Sequence, residues 1–96
     1  MRVDFSPEAL RDLDAIFDYI ARDNPSAALR WVNRLITRAE KAAKQPLAGR
    51  IVPELADQAI REVFVRHYRI VYRVERGRLL VLTVIEGHRR LPHGPA

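Results

Sequence analysis

No cysteine occurs anywhere in the chain, so neither a disulfide nor a thiolate metal site can contribute to it. That fits a reducing cytosol. Glycine is scarce, and Gly49, Gly77, Gly87 and Gly94 stand apart from one another, which excludes a glycine-rich nucleotide-binding loop. No apolar run approaches the roughly 20 residues needed to span a bilayer; the longest extends from Leu79 to Ile85. The N-terminus lacks the basic-then-apolar design of a secretory leader, because Asp4, Glu8 and Asp12 interrupt it. There is no serine-centred nucleophile elbow, and Ser6 and Ser26 are explained by helix starts. His67, His88 and His93 stand in no ligand spacing, so neither a metal nor a cofactor is expected. What remains at 96 residues and 48% hydrophobic content is one small domain spanning 1–96, expected to be cytoplasmic, with no membrane partner. A chain of this size buries roughly two-thirds of its unfolded surface, enough for one modest core.

What is abundant is arginine, and it is unevenly placed. From Met1 to Gln58 nine Lys/Arg balance nine Asp/Glu, while from Ala59 to Ala96 eight Arg face three Glu, so the whole formal charge of +5 arises there. The excess is interleaved with Val, Ile, Tyr and Phe, unlike a solvated basic tail. Fifteen of the 17 basic residues are Arg, whose planar fork suits two-pronged contacts to phosphate or carboxylate. An anionic partner is expected.

Residues 2–5 alternate as a short strand with Val3 and Phe5 on one face. Ser6 then reads as an N-cap, followed by Pro7 at the first helical position and Glu8 in the first turn. Phe5 and Leu10 have the spacing of a hydrophobic staple. Ala9, Leu13, Ile16, Phe17 and Ile20 define an apolar helix face, with Asp12, Asp14, Asp18 and Arg22 outward. Asn24-Pro25 repeats the cap signal and opens a second helix with Ala28, Trp31, Val32, Leu35, Ala39 and Ala42 on its stripe. So short a link predicts an antiparallel helical hairpin. Pro46 stops the second helix, and residues 45–59 read as loop.

Period-two alternation begins at Ile60. Ile60, Glu62, Phe64 and Arg66 share one face, opposite Arg61, Val63 and Val65. Tyr68, Ile70, Tyr72 and Val74 oppose Arg69, Val71 and Arg73, and Arg76-Gly77 marks a hairpin turn. Leu79 to Ile85 is apolar on both faces, as a covered or central strand is, and the N-terminal strand is its natural second neighbour. Trp31, Phe64, Tyr68 and Tyr72 fall on apolar faces and are expected in the core. The order β-α-α-β-β-β gives an α+β class: an antiparallel sheet with the N-terminal helical hairpin packed on one face.

This order, with Ser6-Pro7, Tyr19-Ile20, Asn24-Pro25, Ala27-Ala28, Pro46, Gly49-Arg50, Pro53-Glu54, Arg61-Glu62, Tyr68-Arg69-Ile70, Tyr72-Arg73, Gly87, Arg89 and Pro92, resembles the RelE/ParE toxin superfamily of bacterial type II toxin–antitoxin pairs. The likeness spans nearly the whole chain; the helical-hairpin motif and the final Gly-x-Arg resemble the ParE branch more than the RelE branch. It implies a growth-inhibiting toxin, associated with plasmid stabilisation systems, neutralised by a cognate antitoxin whose small acidic C-terminal segment wraps around it. ParE-type toxins are associated with inhibition of DNA gyrase by binding, and RelE-type toxins with mRNA cleavage on the ribosome.

On the ParE-like reading, Arg61, Arg69, Arg73, Arg89 and Arg90 are expected to form a basic rim for target and antitoxin, with no chemistry of the chain's own. On the alternative, a RelE/YoeB-like ribosome-dependent endoribonuclease, Glu54 would be the base, Arg61 and Arg69 would hold phosphate, and His88 would be the acid. RNA cleavage without a metal needs such a base, cation and acid. His88 stands one position beyond the aligned histidine, where Gly87 lies, and no aromatic residue follows it to stack on a base. Without the resemblance, Glu54 reads as a loop carboxylate near Arg50 or Arg61, and Arg69 and Arg73 as polar residues on an outer sheet face.

Overall fold

The computed structural model describes residues 1–87. Strand β1 (Arg2–Phe5) passes into helix α1 (Pro7–Ala21) at Ser6, and helix α2 (Pro25–Ala42) follows. Ser6 acts in two directions. Its Oγ accepts from the Ala9 amide at 3.0 Å, capping α1, and donates to the Leu82 carbonyl at 2.8 Å, which ties the cap to the sheet. Asn24 caps α2 by accepting from the Ala27 amide at 3.0 Å, with Pro25 at the first helical position. The two helices form the expected hairpin, since only residues 22–24 separate them.

After α2 a short 3-10 turn (Pro46–Ala48) leads to β2 (Arg50–Ile51), then β3 (Ile60–Val65), β4 (Tyr68–Glu75) and β5 (Arg78–Glu86). The sheet has five strands in the order β1-β5-β4-β3-β2. It is mixed rather than antiparallel throughout: β3, β4 and β5 alternate in direction, whereas β1 runs parallel to β5. The segment read as loop contains β2, a two-residue edge strand pairing Arg50 with Glu62 and Ile51 with Arg61. Gly77 takes the hairpin turn with φ of 78°, which a glycine adopts without a Cβ clash.

The helical hairpin covers one sheet face. Ala9 and Leu13 from α1 and Leu35, Ala39 and Ala42 from α2 meet Val63, Val65, Tyr68, Ile70, Tyr72, Leu79, Val81 and Val84. Burying one side chain such as Leu35 contributes about 1.5–3 kcal/mol. Trp31 packs edge-on against Tyr68 with ring centroids 5.6 Å apart. Phe5 packs on this core, whereas Leu10, its expected staple partner, is exposed.

The other sheet face is covered as well, which the alternation of Arg69, Val71 and Arg73 did not indicate. The segment after β2 folds over it, and Val52 and Leu55 meet Val71, Ile60, Leu82 and Ile85. Leu82 occupies a register irregularity opposite Val71 and Tyr72, so β5 contributes side chains to both cores. Phe64 escapes this cover and is 43% exposed.

Asp12 does not face solvent as the helix pattern predicts. Strand β1 ends at Phe5, leaving the adjoining edge of β5 unpaired beyond Val81. The Asp12 carboxylate accepts there from the Val84 amide at 2.9 Å and from the Thr83 hydroxyl. A helix side chain thus closes a sheet edge that the first strand is too short to reach.

Candidate functional site

The second sheet face brings two of the arginines, Arg50 and Arg69, onto one buried carboxylate. Glu62 of β3 and Arg69 of β4 lie diagonally across the ladder, since Glu62 pairs with Val71 and Phe64 with Arg69. Arg69 Nε donates to Glu62 Oε1 at 2.9 Å, and its Nη2 stands 2.7 Å from the same oxygen. The other Glu62 oxygen accepts from Arg50 Nε at 2.6 Å, across the β2–β3 pairing. The Glu62 side chain has no exposure and that of Arg69 has 5%. Burying a carboxylate so fully is costly unless it is paired and hydrogen-bonded in this way.

Glu54 closes the network from above. Arg69 Nη1 and Nη2 both lie 3.2 Å from Glu54 Oε2, and Nη1 also donates to the Gly87 carbonyl at 3.4 Å. Burial raises the Glu54 pKa, but a backbone hydrogen bond and the Arg69 and Arg50 guanidiniums outweigh it and hold the carboxyl below its usual value. Arg50, Arg69, Glu54 and Glu62 therefore form an electrically balanced group that joins β2, β3, β4, the covering loop and the end of β5. Arg50 also lies over the Phe64 ring, 5.5 Å from its centroid.

Of the residues expected to form an open basic rim, the three described ones, Arg61, Arg69 and Arg73, each have partners within the chain. Arg69 is inside, not on a solvated face. Arg61 bonds three backbone carbonyls: those of Gln58 at 2.8 Å, Leu47 at 3.1 Å and Gly49 at 3.2 Å. It staples the β2 approach to β3, away from the Arg69 network. Arg73 keeps a side chain 41% exposed, with Nε 3.3 Å from Glu75. Arg78 donates to Glu75 at 2.7 Å and to Asp4 at 3.2 Å. These bonds raise the Arg78 pKa, and the Arg78 bond is the main cause lowering that of Asp4. His88, Arg89 and Arg90 lie outside the described residues, as does His93.

The nuclease constellation is therefore present in part. Glu54 and Arg69 meet, Arg61 does not join them, and the acid position lies outside the described residues. Among the described residues no group of three or more His, Asp or Glu side chains converges as metal ligands would, and no helix is long and apolar enough to cross a membrane. Glu62 and Arg50 escaped the sequence reading as site residues. The available signal was an acid between Ile60 and Phe64 on one strand face, which needs a cation beside it if that face is covered.

Two surfaces flank the hairpin. Between α1 and the end of the sheet, Ile16, Tyr19, Tyr68 and Ile85 line a groove bordered by Asp12 and Glu86, with no lysine or arginine among the described residues of its lining. Tyr19 is 71% exposed there. On the other flank the side chains are cationic: α1 carries Glu8, Asp12, Asp14 and Asp18 against Arg11, whereas α2 carries Arg30, Arg34, Arg38 and Lys41 against Glu40. The half of the chain that sums to zero charge is thus split into an acidic helix and a basic one.

Comparison with known proteins agrees with this architecture. The family model of the ParE toxin of type II toxin–antitoxin system, parDE, matches residues 3–91. A protein named as a toxin, Y4kP of Sinorhizobium fredii, is 37% identical over 93 residues, covering 95% of this chain and 93% of the relative. Toxin RelE2 of Caulobacter vibrioides is 42% identical over 77 residues, covering 79% and 83%. A chain of the chromosomal ParDE toxin–antitoxin system from P. aeruginosa superposes with a TM-score of 0.72 at 24% identity, covering 90% of this chain and 95% of its own; at that identity the likeness speaks for the fold. With a family match that runs from the first strand past the last, the chain belongs to the ParE toxin family of type II toxin–antitoxin systems.

Proposed function

We propose that this toxin inhibits growth by binding a protein target, with DNA gyrase the expected one, and that a cognate antitoxin neutralises it by covering its binding surface. The observation that carries the reading is the Arg69 network. A nuclease would need Glu54 free to take a proton and Arg69 open to phosphate. Here the Arg69 guanidinium is buried against Glu62 and engaged by Glu54 on its remaining side. Its place in the network is that of a strut. The groove of Ile16, Tyr19, Tyr68 and Ile85 offers aromatic and aliphatic anchors of the kind that dominate protein interfaces.

Inducing the chain without its antitoxin, while DNA-damage signalling, plasmid supercoiling and translation are followed in parallel, tests this reading. Early loss of supercoiling with continuing translation is expected, and Glu54→Gln should still arrest growth. Cleavage of mRNA in the ribosomal A site that vanishes in Glu54→Gln would replace it with the endoribonuclease reading.

A further inference from the structure

The net charge of the sequence lies in its last 38 residues, yet the unpaired cations that the described structure gathers on one helix lie elsewhere, on α2, while Arg66 and Arg76 stand singly at the β3–β4 and β4–β5 turns. Arg61, Arg69, Arg73 and Arg78 all have carboxylate or carbonyl partners. Arg30, Arg38, Lys41 and Lys44 have no ion-pair partner among the described residues, and Arg34 only leans on the Trp31 ring, 5.2 Å from its centroid. At 100° per residue, Arg30, Arg34, Arg38 and Lys41 fall within one arc of about 80° on α2. Glu40, the only acid of that helix, lies about 80° outside the arc. From Arg30 to Lys41 the ridge is about 17 Å long at 1.5 Å per residue, and Lys44 extends it past the helix end.

A solvated helix face would ordinarily mix signs, and Lys41 alone is accounted for by the helix C-terminus, where a cation is favoured. That account does not reach Arg30 and Arg34, which lie about two turns or more before the C-terminal end of α2. Two shallow grooves follow the ridge. Ala27, Arg30, Trp31 and Arg34 line one; Arg38, Lys41 and Lys44 line the other with Ala48 and Gly49. Among the described residues Trp31 is the one large apolar side chain in these two linings, against the several beside α1, and small side chains between the cations leave room for close approach.

We propose that the α2 ridge is a binding surface for the phosphate backbone of duplex DNA. Anchors and cations occupy separate flanks of this protein, so the cationic flank is built for charge without shape-specific burial. That is the requirement of sequence-independent phosphate contact. A strand of duplex presents one phosphate per 3.4 Å of axis, so from Arg30 to Lys44, about 21 Å, the ridge passes about six of them with five cations. The surface is independent of the proposed growth-inhibiting target and of the Arg69 network.

Fluorescence anisotropy of a labelled 24-base-pair duplex of mixed sequence, titrated with the full chain between 50 and 200 mM NaCl, tests the assignment. Five neutralised phosphates predict a slope of log K against log salt of about −4.5, a loss of about 500-fold over that range. Arg34→Ala with Lys41→Ala should reduce the slope to about −2.7. Arg11→Ala with Arg76→Ala, which removes equal charge from α1 and the β4–β5 turn, should leave it unchanged. Trp31 is the single tryptophan, so its emission should change on duplex addition and report contact at the ridge. Equal slopes for the two double variants would overturn the proposal in favour of diffuse attraction. So would absence of binding at 50 mM salt. Poly-glutamate displacing the duplex at a lower concentration of charge than unlabelled duplex would overturn it in favour of an acidic protein segment.

Discussion

Replacing Arg69 by methionine removes the principal partner of a carboxylate that has no solvent to turn to. Glu62 would lose the Nε bond at 2.9 Å and the Nη2 contact at 2.7 Å, keeping only Arg50 on its other oxygen. Glu54, with a side chain 27% exposed, can rehydrate and adds little to the loss. Breaking a buried pair from one side costs about 3–5 kcal/mol, and the surviving Arg50 bond places this case near the lower end. Against a total of about 5–15 kcal/mol for a small domain, that is a large share. In urea, with a slope of about 2 kcal/mol/M, the unfolding midpoint should fall by roughly 1.5 M. Adding Glu62→Leu removes the stranded charge and should return most of the loss, because replacing both members of a buried pair by apolar groups is often near neutral. Circular dichroism unfolding of the two single variants and the double gives the coupling energy directly. An Arg69→Met loss below about 1 kcal/mol, or a double variant as unstable as the sum of the singles, would refute the strut role and reopen Arg69 as an anion-binding residue.

The same network predicts acid sensitivity. The Glu54 pKa is lowered in the folded protein from its ordinary value of 4.5, so just below that value the unfolded chain binds more protons than the native one. Its contribution is fully present above pH 4.5 and is lost as pH falls through the folded value. Urea midpoints measured from pH 7 down to pH 3 should therefore fall below about pH 4.5, and less steeply in Glu54→Gln. A second expectation concerns Asp12, whose replacement by Ala strands the Val84 amide and the Thr83 hydroxyl at the β5 edge. The cost should be about 1–3 kcal/mol, with faster hydrogen exchange at Val84 than at residues deeper in the β4–β5 ladder.

Helix starts, the hairpin turn and the alternation of the strands were legible because each depends on residues within a few positions of one another. Ser6-Pro7 and Asn24-Pro25 cap helices by reaching amides three residues on, and Gly77 takes its turn alone. Even the covered character of β5 could be read from apolar side chains on both faces. The strand added at Arg50–Ile51 was not legible, since two exposed edge residues carry no periodicity. Asp12 was misread because its helix position is polar by pattern, and only the place where β1 stops gives it an amide to accept from.

The sequence by itself determined the class, the helical hairpin, the four longer strands and the family to which they point. It determined the total charge as well. Tertiary structure alone decided where that charge acts. Whether a guanidinium on a strand meets water or a carboxylate depends on what the loop at 52–56 lays over the sheet, and on which residues from distant positions arrive beside it. Arg69 met Glu62 and Glu54 and became internal, while Arg30, Arg34 and Lys41, balanced on paper by the acids of α1, were left facing solvent on another helix. Charge sums along a chain, but its field is set by distance and dielectric in space.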